Sequence, residues 1–187
     1  MSTEMKKYPD MNCEELLSHK ITMADIRDVV AWTGGDISRL NYLWSLTSCG
    51  NTQISTNALW IMTRLPDSDM EWIISLRDEM IDMLLAENNV SKKRILLKIL
   101  REQEYDADNI RTDFLDFCMS KINSECEPYA IRCFCMYAAF KMCRHYTELI
   151  TELEHHLEMM SYQSLSPGLQ SALRQTNDKI RKIKKLR

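Results

Sequence analysis

Three residues of segment 145–160 have types and a spacing that could bind a metal ion. Glu148, Glu152 and His155 lie at positions i, i+4 and i+7, so a helix would place two carboxylates and an imidazole on one face. A di-iron site in a helical bundle also requires a second Glu-x-x-His motif and two further glutamates on facing helices. The sequence contains no second motif. We therefore interpret the three residues as a solvated flank beside an apolar stripe, and we predict neither a metal site nor a cofactor.

Three of the seven cysteines, Cys133, Cys135 and Cys143, lie close together in one apolar segment. Residues i and i+2 of a helix point about 200° apart, so they cannot bind one ion together. Structural zinc sites use Cys-x-x-Cys pairs, and the sequence has none. We predict buried thiols that act as small hydrophobic side chains. The odd cysteine count and a leader without an apolar run lead us to expect reduced thiols and a cytoplasmic location.

Motifs of nucleophilic or phosphate chemistry are missing from the sequence. There is no G-x-S-x-G elbow, no phosphate-binding glycine loop and no Walker lysine. The one Gly-Gly pair, Gly34-Gly35, is typical of the end of a helix. We predict that the protein has no catalytic residues and is not an enzyme.

The basic residues are concentrated in segment 92–101 and in the tail, residues 174–187. The tail has seven basic residues and one acidic residue, whereas residues 102–173 have twelve acidic and five basic residues. Ile180, Ile183 and Leu186 recur at helical spacing, which predicts a basic amphipathic helix. The favoured interpretation is a packed last helix with a solvated basic face. The alternative is a docking arm for an acidic protein or for nucleic acid.

We take basic residues of these two segments as the candidate partner-binding residues. They are Arg94, Lys98, Arg101, Lys179, Lys182, Lys184 and Lys185. The acidic body of the chain would repel phosphate groups, and the four tryptophans are at spacings typical of a helical core. A protein partner is therefore the prediction, and nucleic-acid binding, including DNA-alkylation repair, is the alternative.

Composition and periodicity indicate that the elements carrying these residues are helices. The chain has only four glycines and four prolines in 187 residues, too few turn residues for an all-β fold. Segment 128–143 is apolar on all sides, so we expect it to be covered on all sides. The longest apolar run, Cys133–Phe140, is far short of the roughly 20 residues that span a bilayer. We predict no membrane segment.

Residues typical of turns recur along the chain. Asn51, Asn88, Cys126 and Ser166 are 37, 38 and 40 residues apart, and two predicted helices fall in each period. A period of 35–45 residues with two helices is typical of an α-solenoid, in which stacked hairpins share one core.

The second helix of the third period resembles that of the HEAT/armadillo-like repeat family. Ile131-Arg132, followed by Cys135 and Ala138-Ala139, is similar to the family pattern, although Cys126 stands where the family has an aspartate. The resemblance covers roughly residues 36–185. It implies an all-α superhelix, right-handed, of about four HEAT-like hairpins behind a short N-terminal helical cap. It also implies binding to other macromolecules.

We predict one all-α domain over residues 1–187. Residues 1–35 would form the leader and capping helices, residues 36–173 the stacked hairpins, and residues 174–187 the basic end of the last helix. The predicted function is non-catalytic protein–protein interaction.

Overall fold

The computed structural model describes residues 11–186. Most of the predicted leader, residues 1–10, and the terminal Arg187 lie outside the described residues. Within the described range the regular structure is helical, with two 3₁₀ turns at Asp67–Asp69 and Ala107–Asn109. The α-helices are α1 (Cys13–Leu17), α2 (Met23–Thr33), α3 (Ile37–Leu46), α4 (Thr52–Met62), α5 (Met70–Ser75), α6 (Arg77–Ala86), α7 (Val90–Leu100), α8 (Thr112–Ile122), α9 (Tyr129–Cys143), α10 (Thr147–Ser161) and α11 (Pro167–Leu186).

The chain forms two compact units, which divide after Leu76. In the described part of the first unit, residues 11–76, α3 and α4 form a hairpin. Helix α1 packs against α4, and α2 packs against both members of the hairpin. These contacts confirm the predicted short helical cap beside a first hairpin. The predicted division of a single domain at residues 35 and 173 stays a prediction.

The ends of α2 are fixed by the local chemistry of Thr22, Asp25 and Gly34. The Thr22 hydroxyl accepts a hydrogen bond from the Asp25 amide, and the Asp25 carboxylate accepts one from the Thr22 amide, so a capping box begins the helix. Gly34 ends the helix with φ of 48°, a left-handed conformation that favours glycine. The tryptophans of this unit are less buried than predicted, since only Trp32 is buried and the other three are half-buried.

The second unit, residues 77–186 as described, contains three hairpins, α6/α7, α8/α9 and α10/α11. Helices α6, α8 and α10 contact one another in sequence and form the first-helix layer. Helices α7, α9 and α11 do the same and form the second-helix layer. With the hairpin of the first unit, this gives four HEAT-like hairpins, as predicted.

Helix α9 lies in the middle of the second unit and contacts α7, α8, α10 and α11. Its fully buried residues include Ile131, Met136 and both alanines, Ala138 and Ala139. The expectation that it is covered on all sides is only partly right. A stripe that includes Tyr137 and Lys141 is half-buried and reaches the surface of the second-helix layer.

The apolar periodicity of residues 69–87 predicts one helix, and this prediction is wrong. Helices α5 and α6 are separate, with Leu76 at φ −89° and ψ 5° between them. There the Leu76 amide bonds to the Ile73 carbonyl, a tighter turn than that of an α-helix.

The second helices of the four hairpins begin at nearly constant spacing. The residues directly before α4, α7, α9 and α11 are Asn51, Asn89, Pro128 and Ser166, which are 38, 39 and 38 residues apart. The repeat is therefore more regular than the turn residues in the sequence indicate.

Candidate functional site

The position that resembles the HEAT motif, Arg132 of α9, has a structural role. Its side chain is 2% exposed. Nε donates to the Ile122 carbonyl at 2.9 Å, and Nη2 donates to Oε1 of Gln163. Gln163 in turn donates from Nε2 to the Asn123 carbonyl at 3.0 Å. Backbone and amide oxygens thus replace the aspartate that is missing at position 126, and Arg132 ties the end of α8 to the segment before α11.

Asn57 of α4 follows the turn residue Asn51 by six positions, as Arg132 follows Cys126 and Arg94 follows Asn88. Asn57 makes bonds of the same kind as Arg132. Its Nδ2 donates to the carbonyls of Leu17 and His19 at 2.9 and 2.8 Å. Both aligned positions therefore satisfy carbonyl groups at the C-terminal end of another helix, which have no partner within that helix. Arg94, the aligned residue of α7, is exposed instead.

The surface stripe of α9 is covered by basic side chains from its two neighbours in the second-helix layer. Arg101, directly after α7, has its guanidinium carbon 4.3 Å from the Phe134 ring centroid and 5.7 Å from that of Tyr137. Lys179 of α11 has Nζ 5.6 Å from the Tyr137 centroid and 5.7 Å from that of Phe140. These are cation–π distances. The Tyr137 ring therefore contacts cations from two different hairpins.

The segment that follows Arg101, residues 102–107, is held by its main chain. Lys141 Nζ donates to the carbonyls of Glu102 and Gln103 at 3.0 and 2.9 Å. His145 Nε2 lies 2.6 Å from the Tyr105 carbonyl, and the Tyr146 hydroxyl donates to the Ala107 carbonyl at 2.9 Å. The C-terminal end of α9 thus fixes the path of the 102–107 segment.

Two glutamates of this segment project over the basic side chains. Glu102 pairs with Arg101 at 2.8 Å, and Glu104 pairs with Lys141 at 3.0 Å and Arg144 at 2.9 Å. The glutamate side chains are 64% and 62% exposed. Burial acts to raise the pKa of Glu104, but its hydrogen bond to Lys141 and the charges of Lys141 and Arg144 outweigh that effect and lower the pKa.

These groups surround a cleft of about 530 Å³, which we call the second-helix cleft. It combines four cations with two aromatic rings, an amide and the two glutamates. The lining residues are Arg101, Glu102, Glu104, Tyr137, Phe140, Lys141, Arg144, Gln175 and Lys179. Such a site can bind anionic groups and pack against apolar ones, and it has no nucleophile paired with a base.

Of the seven candidate residues, the structure brings Arg101 and Lys179 together in the second-helix cleft. Arg94 and Lys98 precede Arg101 on α7 at positions i−7 and i−3, on the same face of the helix. Lys182 and Lys185 are exposed on α11. Lys184 pairs with Glu154 of α10.

The predicted residues do not include Tyr137, Lys141, Arg144 and Gln175, which also line the cleft. A signal for one of them is present in the sequence. Lys141 and Arg132 are the two cations of an otherwise apolar helix, and such charges require polar partners.

The predicted solvated flank on α10 is exposed. Glu148, Glu152 and His155 are all solvent-facing. Among residues 11–186, no three His, Cys, Asp or Glu side chains are arranged to hold a metal ion. Over the same range, no helix combines the length and the apolar character that crossing a bilayer requires.

The family model for the HEAT repeat domain matches residues 13–180. The chain belongs to the HEAT repeat family. No curated protein and no solved structure gives a significant match. HEAT repeats form scaffolds that often mediate protein interactions, and in this HEAT repeat chain the second-helix cleft brings charged and aromatic groups of three hairpins together.

Proposed function

We propose that this HEAT repeat protein is a non-catalytic scaffold that binds another protein through the second-helix layer of its second unit. The observation that carries the proposal is the convergence of Arg101 and Lys179 on the ring of Tyr137. Three consecutive hairpins contribute to one cleft, as expected for a repeat surface that binds a partner along its length. The odd number of cysteines favours reduced thiols and a cytoplasmic location.

The composition of the cleft favours a protein partner. Aromatic side chains and arginine are enriched in protein interfaces and contribute much of the binding energy there. Nucleic acid is the weaker candidate, because residues 102–173 carry twelve acidic and five basic residues, and this negative surface would repel a phosphate backbone.

Site-specific photo-cross-linking tests the proposal. A photoreactive amino acid is placed at Gln175, which is exposed and lines the cleft, or at Asp116, which is exposed on α8 in the first-helix layer. In the native cells we expect one defined protein adduct from position 175 and none from position 116. The double variant Arg101→Glu/Lys179→Glu should lose the adduct.

Equal cross-linking from both positions, or none from position 175, would contradict a protein-binding cleft. A gel shift with duplex DNA at low salt tests the nucleic-acid alternative. Reversal of charge at Lys182, Lys184 and Lys185 should weaken that shift if the alternative holds. We expect no shift with the unmodified chain.

A further inference from the structure

We propose that the second-helix cleft recognises an acidic segment of the partner, with two carboxylates separated by one residue, and that Glu102 and Glu104 occupy the same cations until the partner binds. This inference rests on the proposed function and names the chemistry of the partner. In this proposal the 102–107 segment competes with the partner for the cations of the cleft.

The cations of the cleft already bind two carboxylates. Glu102 and Glu104, which are separated by one residue, contact three of the four cations at 2.8 to 3.0 Å. These contacts show that the cations are spaced to accept a Glu-x-Glu pattern on an irregular main chain. A partner segment with the same pattern would meet the same donors.

The two glutamate side chains are more exposed than the cations that they contact. The glutamates are 64% and 62% exposed, whereas the side chains of Arg101, Lys141 and Arg144 are 26%, 19% and 35% exposed. The cations are therefore fixed within the layer and the carboxylates lie on top of them. Exposed ion pairs contribute little free energy, so a partner can displace the glutamate side chains at small cost.

Displacement of the Glu102 and Glu104 side chains leaves the fold intact. The 102–107 segment is held through its carbonyls by Lys141, His145 and Tyr146. None of these bonds involves a glutamate carboxylate, so Glu102 and Glu104 can rotate away while the main chain stays in place.

The remaining cation of the cleft is Lys179. This residue is exposed, and its Nζ contacts the faces of Tyr137 and Phe140. A carboxylate that enters the cleft gains an ion pair with Lys179 that the resident glutamates do not make in the structure. This additional contact gives the partner an advantage over the internal competitor.

Fluorescence anisotropy on the full chain tests the inference. The probe is a fluorescein-labelled peptide with the sequence Gly-Glu-Gly-Glu-Gly-Glu-Gly, and the control probe has glutamine in place of each glutamate. We expect the acidic probe to bind, more weakly as salt is added, and the glutamine probe not to bind.

Variants of the chain distinguish competition from a merely structural role. Glu102→Gln/Glu104→Gln should bind the acidic probe roughly 2- to 5-fold more tightly, because it removes the competitor. Lys179→Ala should bind it roughly 2- to 5-fold more weakly. Arg181→Ala, the loss of an exposed cation on α11 outside the cleft, should leave the affinity unchanged. Far-UV circular dichroism checks that each variant is folded.

Weaker or unchanged binding by Glu102→Gln/Glu104→Gln would overturn the inference, and so would equal binding of the two peptides. Tighter binding of a 12-base-pair duplex DNA than of the acidic peptide would do the same in favour of nucleic acid. If the Gln175 cross-link forms but the acidic peptide fails to bind, the proposed function stands and this inference alone is wrong.

Discussion

Arg132 Nε lies 2.9 Å from the Ile122 carbonyl oxygen, so a buried cation closes the C-terminal end of α8. Helix ends leave their last carbonyls without partners inside the helix. In this hairpin the second helix supplies the donor for the first. The two helices are therefore joined by a charge-assisted hydrogen bond as well as by apolar packing.

Replacement of that arginine tests the role. We expect Arg132→Met to lower the free energy of unfolding by about 2–3 kcal/mol, because it leaves the buried Ile122 carbonyl and the Gln163 amide oxygen without their donor. Arg94→Met, at the aligned but exposed position in the same unit, should change it by less than about 0.5 kcal/mol. Urea denaturation measures both, and equal losses would contradict the assigned role.

The turn before α7 is expected to depend on pH through Glu87. Burial alone would raise the pKa of this carboxyl, but hydrogen bonds from Lys92 and from the Asn89 and Asn88 amides outweigh it and lower the pKa from its ordinary 4.5. A lowered pKa in the folded state means that the carboxylate stabilises the fold above pH 4.5. This stabilisation is lost as the pH falls through the lower, folded-state value.

We therefore expect Glu87→Gln to be less stable than the unmodified chain by about 1–2 kcal/mol at neutral pH, since Lys92 Nζ lies 2.7 Å from the carboxylate and both side chains are largely buried. The difference should shrink as the pH falls below 4.5. Urea midpoints measured across that range give the result. A gap that widens in acid would show that the sign is wrong.

The end of α2 requires glycine. Gly34 has φ of 48°, and a Cβ there would lie 3.3 Å from the Ala31 carbonyl oxygen. We expect Gly34→Ala to cost about 1–2 kcal/mol, the penalty of a left-handed conformation. Gly50→Ala is the control in the same unit, because apart from its chain neighbours no residue has an atom within 4 Å of the added Cβ. Thermal unfolding compares the two, and a harmless Gly34→Ala would contradict the prediction.

The cysteines should differ sharply in reactivity. Cys126 is exposed, whereas Cys118, Cys135 and Cys143 are buried. Burial, with a smaller contribution from the charge of Glu152, raises the pKa of Cys143 to about 12. Since the thiolate is the reactive form, mildly alkaline solution should leave Cys143 unmodified.

Peptide mapping after treatment with iodoacetamide measures this order. We expect Cys126 to be alkylated first in the folded protein and the buried thiols to react only after urea is added. Early modification of Cys143 in the folded chain would show that α9 is less protected than its burial indicates.

The fold could be predicted largely from the sequence, because it depends on local signals. The capping residue Thr22, the helix stop at Gly34 and the apolar segment 128–143 each predict their element from neighbouring residues. The break at Leu76 could not be predicted in this way, since the apolar periodicity continues from Trp72 to Leu84 without a glycine or proline.

The second-helix cleft could be predicted only in part. Arg101 and Lys179 stand out as basic residues, but their meeting at Tyr137 depends on the packing of three helices that are far apart in sequence. The contacts of Lys141 were equally hidden, because its acceptors are backbone carbonyls, which every residue type carries.

Those carbonyl contacts have a consequence for how the chain can change. Lys141 bonds to main-chain carbonyl oxygens, which every amino acid carries. Other side chains could therefore replace Glu102 and Glu104 without displacing the main chain of this segment. The side chains beside the cleft can thus vary while the main chain of residues 102–107 stays fixed. Substitutions in this segment are therefore a direct way to change which partner binds.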